Sequence, residues 1–307
     1  MDGPPASNFK IVFERFLFNE ERHRSASASG HWKTFCLIHE QAQQVVAQIH
    51  FQVADSIAFS PARAPFGSIE FSDSLLPETL LSFWTATEQN LKSAGVKKIV
   101  IKDTAHQYRP GPAALLTVLF LSTGFSLSNT EINSAINVDA ENFESKISYA
   151  EVKRMRRCQQ EKMEFQILSL GMLEEVYAFI QSCRHQRGMS LSMTFPQLRD
   201  TIKNCHDDFF LFGIFQNAKL MAASVSVRVS NRILYDFYHA HAKSVDQLSP
   251  VVLLLKGMYE FCQKNKFELL DLGTSAVDQQ INFGLLNFKT QIGGQLSVKL
   301  TFEKDLN

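Results

Sequence analysis

The sequence predicts an α+β fold in two successive domains, each a mixed, largely antiparallel sheet flanked by helices. Three observations carry that expectation. At 307 residues the chain exceeds the usual span of one hydrophobic core. Segments with the period-two pattern or β-branched content of strands come in runs: FKIVFERFLF, HWKTFCLIHE and VVAQIHFQV early, and DFFLFGIF through LYDFYHAH later. Each run is followed by a helix, a strand, a shorter helical or looped segment and a closing strand, so the architecture is duplicated although the residues are not.

In order, NEERHRSASASG reads as a polar loop between the first two strands. Ser74 is placed to cap a helix whose apolar positions Leu76, Leu80, Leu81, Trp84 and Leu91 recur near helical spacing, and Gly95 stands where a helix stops. VKKIVIKD is a compact strand, PAALLTVLFLSTG a buried helix and SLSNTEINSAINV a closing strand or strand pair, which sets the first domain at residues 8–140. The second, residues 146–307, opens with the basic helix ISYAEVKRMRRCQQEK and the strand MEFQILSL. A helix follows with Leu173, Val176, Tyr177, Ile180 and Cys183 on one face, then another around FPQLRDTIKNC. The later strands break at the turn pairs Gln216-Asn217 and Ser230-Asn231. In SPVVLLLKGMYEFCQKNK, Ser249 takes the N-cap position and Pro250 the first helical one, and Val251, Leu254, Leu255, Met258, Phe261 and Cys262 form the apolar stripe. FELLDLG and QLSVKLTFEKD are the last strands, with INFGLLNFKTQIGG between them.

Lys and Arg number 31 and Asp and Glu 31, a balance that argues against a protein built around nonspecific attraction to nucleic acid or membrane surfaces. The five cysteines are scattered, without a CxxC pair or histidines at zinc spacing, so the expectation is a reduced, cytoplasmic protein with buried thiols and no metal. MDGPPASNFK carries no signal-like apolar region, and the longest apolar run, near residues 113–121, is too short to span a bilayer. HExxH, GxSxG, GxGxxG and Walker sequences are absent, which removes the main support for metalloprotease, hydrolase and dinucleotide-binding readings.

Within the second half, the basic helix with Lys153, Arg154, Arg156 and Arg157, the pair Arg187-Gly188, Ser249-Pro250, Asp271-Leu272-Gly273 and the run from Gly284 to Gly294 stand in a recognisable order. That pattern resembles the C-terminal domain of the FemAB-like branch of the GNAT acyltransferase superfamily, in which two GNAT-like domains occur in tandem. The resemblance covers residues 146–307 by motif and residues 8–140 by architecture. It implies transfer of an acyl or aminoacyl group from an activated donor to a small-molecule or peptide-like amine. The donor it implies is acyl-CoA or aminoacyl-tRNA, with tRNA then a partner. Ile292 stands where the branch usually has an aromatic, and HAKSVDQLSPVV lacks the glycine of the phosphate-wrapping loop that acetyl-CoA enzymes carry. A noncatalytic ligand-binding module on the same duplicated fold is the alternative.

Candidate residues follow from these stretches. Lys289 is either a solvated charge or a cation that holds a substrate carboxylate or phosphate or stabilises an oxyanion. His239 and His241 share a strand face with Tyr235 and Phe237 in regular alternation, with Asp236 and Tyr238 opposite, and either imidazole suits a general base. Asp246 and Asp271 are further base candidates, Asp271 with turn-capping as its ordinary alternative. Ser249, the first-turn amides of Val251 and Val252, and nearby Lys243 form the expected donor-binding corner. Arg187 is a candidate for the substrate. Arg63 and Phe66 in SPARAPFGSIEF, and Tyr108 and Arg109 in DTAHQYRPG, are the first domain's candidate contacts, beside plain surface-turn readings; the resemblance places the former loop near an interdomain cleft.

Overall fold

The computed structural model describes residues 9–25, 31–61, 63–277 and 280–306. In chain order the first elements are β1 (Lys10–Ile11), α1 (Glu21–Arg24), β2 (His31–His39), β3 (Gln44–Ala54), β4 (Ile57–Ser60), β5 (Glu70–Phe71), α2 (Pro77–Ser93), β6 (Lys98–Ala105), α3 (Pro110–Ser122) and β7 (Ser126–Asn137). Then come α4 (Phe143–Lys146), α5 (Tyr149–Gln160), β8 (Glu164–Leu168), α6 (Leu173–His185), α7 (Phe195–Asn204), β9 (Phe209–Gln216), β10 (Lys219–Ser230) and β11 (Ile233–His241). The chain continues with α8 (Pro250–Lys264), β12 (Leu269–Thr274), β13 (Ala276–Val277), β14 (Gln280–Ile281), α9 (Phe283–Gln291) and β15 (Gln295–Asp305).

Two compact units result, residues 1–132 with 297–307, and residues 133–296. The sequence had set the limits at 8–140 and 146–307; residues 133–140 and 297–307 fall on the other side of the division. In the first unit the strand order is β1-β3-β4-β6-β15-β7, with β2 and β5 also paired to β3. Its core gathers Ile49, Phe51, Leu80, Trp84, Ile99, Phe120 and Phe302. Helix α2 begins at Pro77, its cap at Leu76 has no side-chain hydrogen bond, and Ser74 instead pairs its hydroxyl with Ser72. Leu76 and Leu81 therefore lie outside the apolar stripe and are exposed, whereas Leu80, Trp84 and Leu91 are buried as expected. Gly95 (φ +82) ends the helix, because the left-handed turn lets the Val96 amide return to the Leu91 carbonyl.

FKIVFERFLF is a strand only at Lys10–Ile11. The Phe16 amide goes to the buried Glu70 carboxylate at 2.6 Å rather than to a ladder, and Phe16, Leu17 and Phe18 are buried. Within NEERHRSASASG, a 3-10 turn and α1 occupy residues 17–24, and residues 26–30 lie outside the described residues. Two hairpins, β3–β4 and β9–β10, close through two-residue turns with positive φ at Asp55 and Ser56 and at Asn217 and Ala218, the geometry that suits the right-handed twist of paired strands.

The second unit orders its strands β7-β12-β11-β10-β9-β8. Helix α8 is its central prop: Val252, Leu254, Leu255, Met258, Tyr259 and Cys262 are buried against Phe212, Ile214, Leu234 and Leu270. Pro250 takes the first helical position, as the missing N–H allows. Ser249 occupies the N-cap position in the left-handed region (φ 52, ψ 60), and its side chain makes no capping bond. The five cysteines are buried and unpaired.

Candidate active site

β11 and β12 are parallel and paired only over Ile233↔Leu269, Leu234↔Leu270 and Tyr235↔Asp271. Beyond those residues β11 runs on to His241 and β12 to Thr274, so the two strands part toward their C-terminal ends. Helix α8 makes the crossover between them and runs opposite to both, which brings its first turn to that same end. At the opening, Asp271 is 3 % exposed and its Oδ1 accepts from the Asn133 side chain at 2.7 Å and the Gly273 amide at 2.9 Å. It acts as the turn-capping carboxylate rather than as a free base. Gly273 (φ +73) takes a left-handed conformation that strains any side chain, and a Cβ there would stand 3.2 Å from Tyr235 Cε2 and press on that ring.

Next to this opening β11 carries a bulge. Val225 pairs with Tyr238 and Ser226 with Asp236, so Phe237 has no partner across the ladder. One extra residue reverses the alternation, and the Phe237 and Tyr238 rings lie side by side with centroids 4.1 Å apart. Asp236, expected opposite His239, shares its face: Oδ2 is 2.6 Å from His239 Nδ1. Oδ1 accepts from Ser224 Oγ at 2.6 Å, and Ser224 is 2.9 Å from Ser226 Oγ. Burial pushes the Asp236 carboxyl up, but the His239 imidazole, the Ser224 hydroxyl and the Lys289 ammonium outweigh it and hold the acid below its ordinary value. Asp236 is wholly enclosed, whereas the His239 side chain keeps 24 % exposure and its Nε2 has no partner among the described residues.

Lys289 is not solvated. It lies on α9, 3 % exposed, and donates to the carbonyls of Gly273 at 2.9 Å and Thr274 at 2.8 Å. Burial lowers its pKa to about 8, against the opposing pull of Asp271 and Asp236. The glycines behind it explain the aim. Gly293 (φ +86) and Gly294 close α9 in a paired turn, with Gly294 N on the Lys289 carbonyl at 2.8 Å and Gly293 N on that of Thr290. A Cβ on Gly294 would meet the Lys289 carbonyl at 2.6 Å and Ser134 Cβ at 3.3 Å. Asn282 caps the other end through the Leu285 amide, and Leu286 and Lys289 are the buried residues of the helix.

The second histidine is differently placed. His241 Nε2 is 2.9 Å from Asp246 Oδ1, which also takes Arg187 at 2.5 Å. Arg187 further donates to the backbone carbonyls of Cys183 and His241 at 3.0 Å, binding α6 to the end of β11. Burial and the Arg187 guanidinium lower the pKa of His241, so this imidazole resists the proton that a base must accept. Lys243 is exposed in the turn before α8, and Val251 and Val252 are buried in its first turn. Phe66 and Tyr108 are 2 % and 3 % exposed; Phe66 packs edge-on with Phe16, Phe18 and Tyr108, which makes the pair core residues rather than contacts. Arg109 is held by the Phe71 carbonyl and Asp73, and Arg63 is exposed. No group of three or more His, Cys, Asp or Glu among the described residues is arranged to hold a metal ion.

No family model matches the chain, and no curated protein matches it in sequence. Solved structures do match in fold. The fold is shared with FemX. That match covers 96% of this chain and 93% of FemX at a TM-score of 0.73 and 13% identity. L-PGS from Bacillus licheniformis matches over 95% of this chain and 92% of its own, with a TM-score of 0.59 and 12% identity. A tandem GNAT protein from the clavulanic acid biosynthesis pathway matches over 96% and 90%, with a TM-score of 0.50 and 8% identity. At such identities the likeness is one of fold, and at that level the helix-flanked mixed sheets and the resemblance to FemAB-like GNAT proteins are borne out.

The sequence reading named His239 and Lys289 but missed Asp236, Ser224, Ser226 and Asn133. Asp236 was excluded by regular alternation, which the bulge breaks. Polar residues at alternate positions of β10 were the available signal, since Ser224, Ser226, Arg228 and Ser230 form one side of a strand whose other side is Ala223, Val225, Val227 and Val229.

Proposed function

We propose that the second unit transfers an acyl or aminoacyl group to an amine, with His239 as general base. The observation that supports this most directly is the pairing of His239 Nδ1 with the buried, ionised Asp236, which leaves Nε2 as the partly exposed end of the network. The GNAT-like fold and the motif resemblance support the reaction class. In the proposed step Nε2 takes a proton from the amine as its nitrogen attacks the acyl carbonyl. The C–N bond forms, the bond to the donor's sulfur or oxygen breaks, and His239 returns the proton to the leaving group. Asp236 accepts from Nδ1 and so fixes the tautomer that presents Nε2 as the acceptor.

Lys289 serves this reading as a positioning cation. Two carbonyls and two nearby carboxylates already engage it, so its part is to hold the end of β12 and keep Asp236 ionised. Ser249, Lys243 and the Val251 amide at the start of α8 are the proposed contacts of the donor, where helix N–H groups favour phosphate; the Val252 amide, expected with them, instead donates to the Ser249 carbonyl at 3.1 Å. Arg187 orders the loop leading there through Asp246.

The test offers acyl-CoAs and aminoacyl-tRNAs as donors with a panel of primary amines, and reads amide product by mass spectrometry. Replacing His239 with Gln should lower kcat/KM by about 100- to 10,000-fold. Equal turnover by His239→Gln would remove the proposed base. Donor-dependent thermal stabilisation without product would favour the noncatalytic binding module instead.

A further inference from the structure

The hydroxyls of Ser224 and Ser226 add a layer behind the histidine. Both serines are 0% exposed on β10, among the buried Met221, Ala222, Ala223, Val225, Val227 and Val229 of the same strand. The cross-strand register sets Ser224 opposite His239 and Ser226 opposite Asp236, and the bulge between these pairs lets a single carboxylate reach both neighbours. Ser224 Oγ lies 2.6 Å from Asp236 Oδ1, while Oδ2 is 2.6 Å from His239 Nδ1. Asp236 Oδ1 can only accept, since the acid is ionised, so Ser224 must donate its single proton there and accept from Ser226 at 2.9 Å. The direction of every proton along the chain is thereby fixed: Ser226 to Ser224, Ser224 to Asp236, His239 Nδ1 to Asp236.

We infer that Ser224 is a positioning residue for the reaction, holding the Asp236 carboxylate in the plane and charge state that keep His239 in the Nδ1–H form. This rests on His239 being the base. A packing role alone would not call for the arrangement. Burying a carboxylate is costly unless hydrogen bonds compensate, and a neutral side chain would fill the same space without that penalty. Here the enclosed groups converge on one partly exposed ring, which alone can pass a proton to something bound.

A charge-assisted hydrogen bond of this kind is the stronger class, and removing a supporting donor from a catalytic carboxylate should slow turnover about tenfold or more. The experiment compares wild type, Ser224→Ala, Ser224→Thr, Asp236→Asn and the Ser224→Ala, Asp236→Asn double variant. One readout needs no substrate: the downfield proton resonance of imidazole Nδ1–H bonded to a carboxylate, assigned by its loss in His239→Gln. In Ser224→Ala that resonance should move and exchange faster with water, and in Ser224→Thr it should return toward the wild-type position. With a working donor and amine, Ser224→Ala should lower kcat with KM little changed, and the loss should vanish once Asp236 is already Asn. Melting temperatures separate these effects from misfolding. An unmoved resonance in folded Ser224→Ala overturns the inference, and so does a full additional loss in the double variant. A moved resonance in a protein that transfers no acyl group would uphold the hydrogen-bond chain and defeat the proposed reaction.

Discussion

Replacing Lys289 with Met removes a charge held where water cannot solvate it, and the consequence is a change in how stability depends on pH. The ammonium sits at about 8 in the folded protein, against 10.5 for ordinary lysine. The folded state thus binds this proton less tightly than the unfolded state does. Below about pH 8 the penalty is fully present, and it disappears as pH rises to 10.5 and the unfolded chain also loses the proton. At about 1.4 kcal/mol per tenfold change in proton affinity, that gap is worth about 3 kcal/mol. Wild type should gain about that much relative to Lys289→Met between those limits. Loss of the carbonyl bonds and of the attraction to Asp236 and Asp271 adds an offset at all neutral pH values, but not this slope. The assay is paired urea unfolding across pH 7.5 to 10.5, monitored by a probe within residues 133–296, together with carbon-detected titration of labelled lysine side chains. The Lys289 signal, assigned by its absence in the variant, should titrate near pH 8. Titration alongside surface lysines above pH 10, or parallel stability curves, would refute the account.

In the first unit, Glu70 is wholly buried and its pKa is raised to about 7, burial outweighing the donors from Phe16 and Gln48. A raised folded pKa gives stability that is complete below the unfolded value of 4.5 and lost as pH climbs through 7, so wild type should lose about 3 kcal/mol relative to Glu70→Gln over that window, as read by denaturation of the first unit. Two glycines, one inside α9 and one just beyond its end, should respond oppositely. Gly294→Ala should cost about 1–3 kcal/mol because its Cβ meets backbone, whereas exposed Gly284→Ala should be neutral or stabilise by up to about 1 kcal/mol; thermal melts decide both.

Legibility followed periodicity. The stripes on α6 and α8, and that on α2 at Leu80, Trp84 and Leu91 but not at Leu76 and Leu81, were readable because a buried helix face repeats near 3.6 residues, and Gly95 stopped α2 where left-handed geometry was needed. β4 was not, being four residues between a tight turn and Pro61, with no room for a pattern to declare itself. At the site, composition and spacing singled out His239, His241 and Lys289 but could not rank them. Their ranking depends on groups distant in sequence: Arg187 beside His241, the Gly273 and Thr274 carbonyls around Lys289, and Ser224 across the ladder. Asp236 was placed on the wrong face because a bulge has no signature in alternation.

The position of β15 has a consequence for chain continuity. Its residues from Ser297 onward pair with β6 through Phe302↔Ile101 and its neighbours, lie between β6 and β7, and bury Leu300, Phe302 and Leu306 in the first unit. The second unit is one unbroken stretch, residues 133–296. The stretch made later is therefore the one whose parts are all contiguous in the chain. The earlier segment cannot complete the middle of its sheet from its own stretch, since the strand beside β6 is supplied from the far side of residues 133–296.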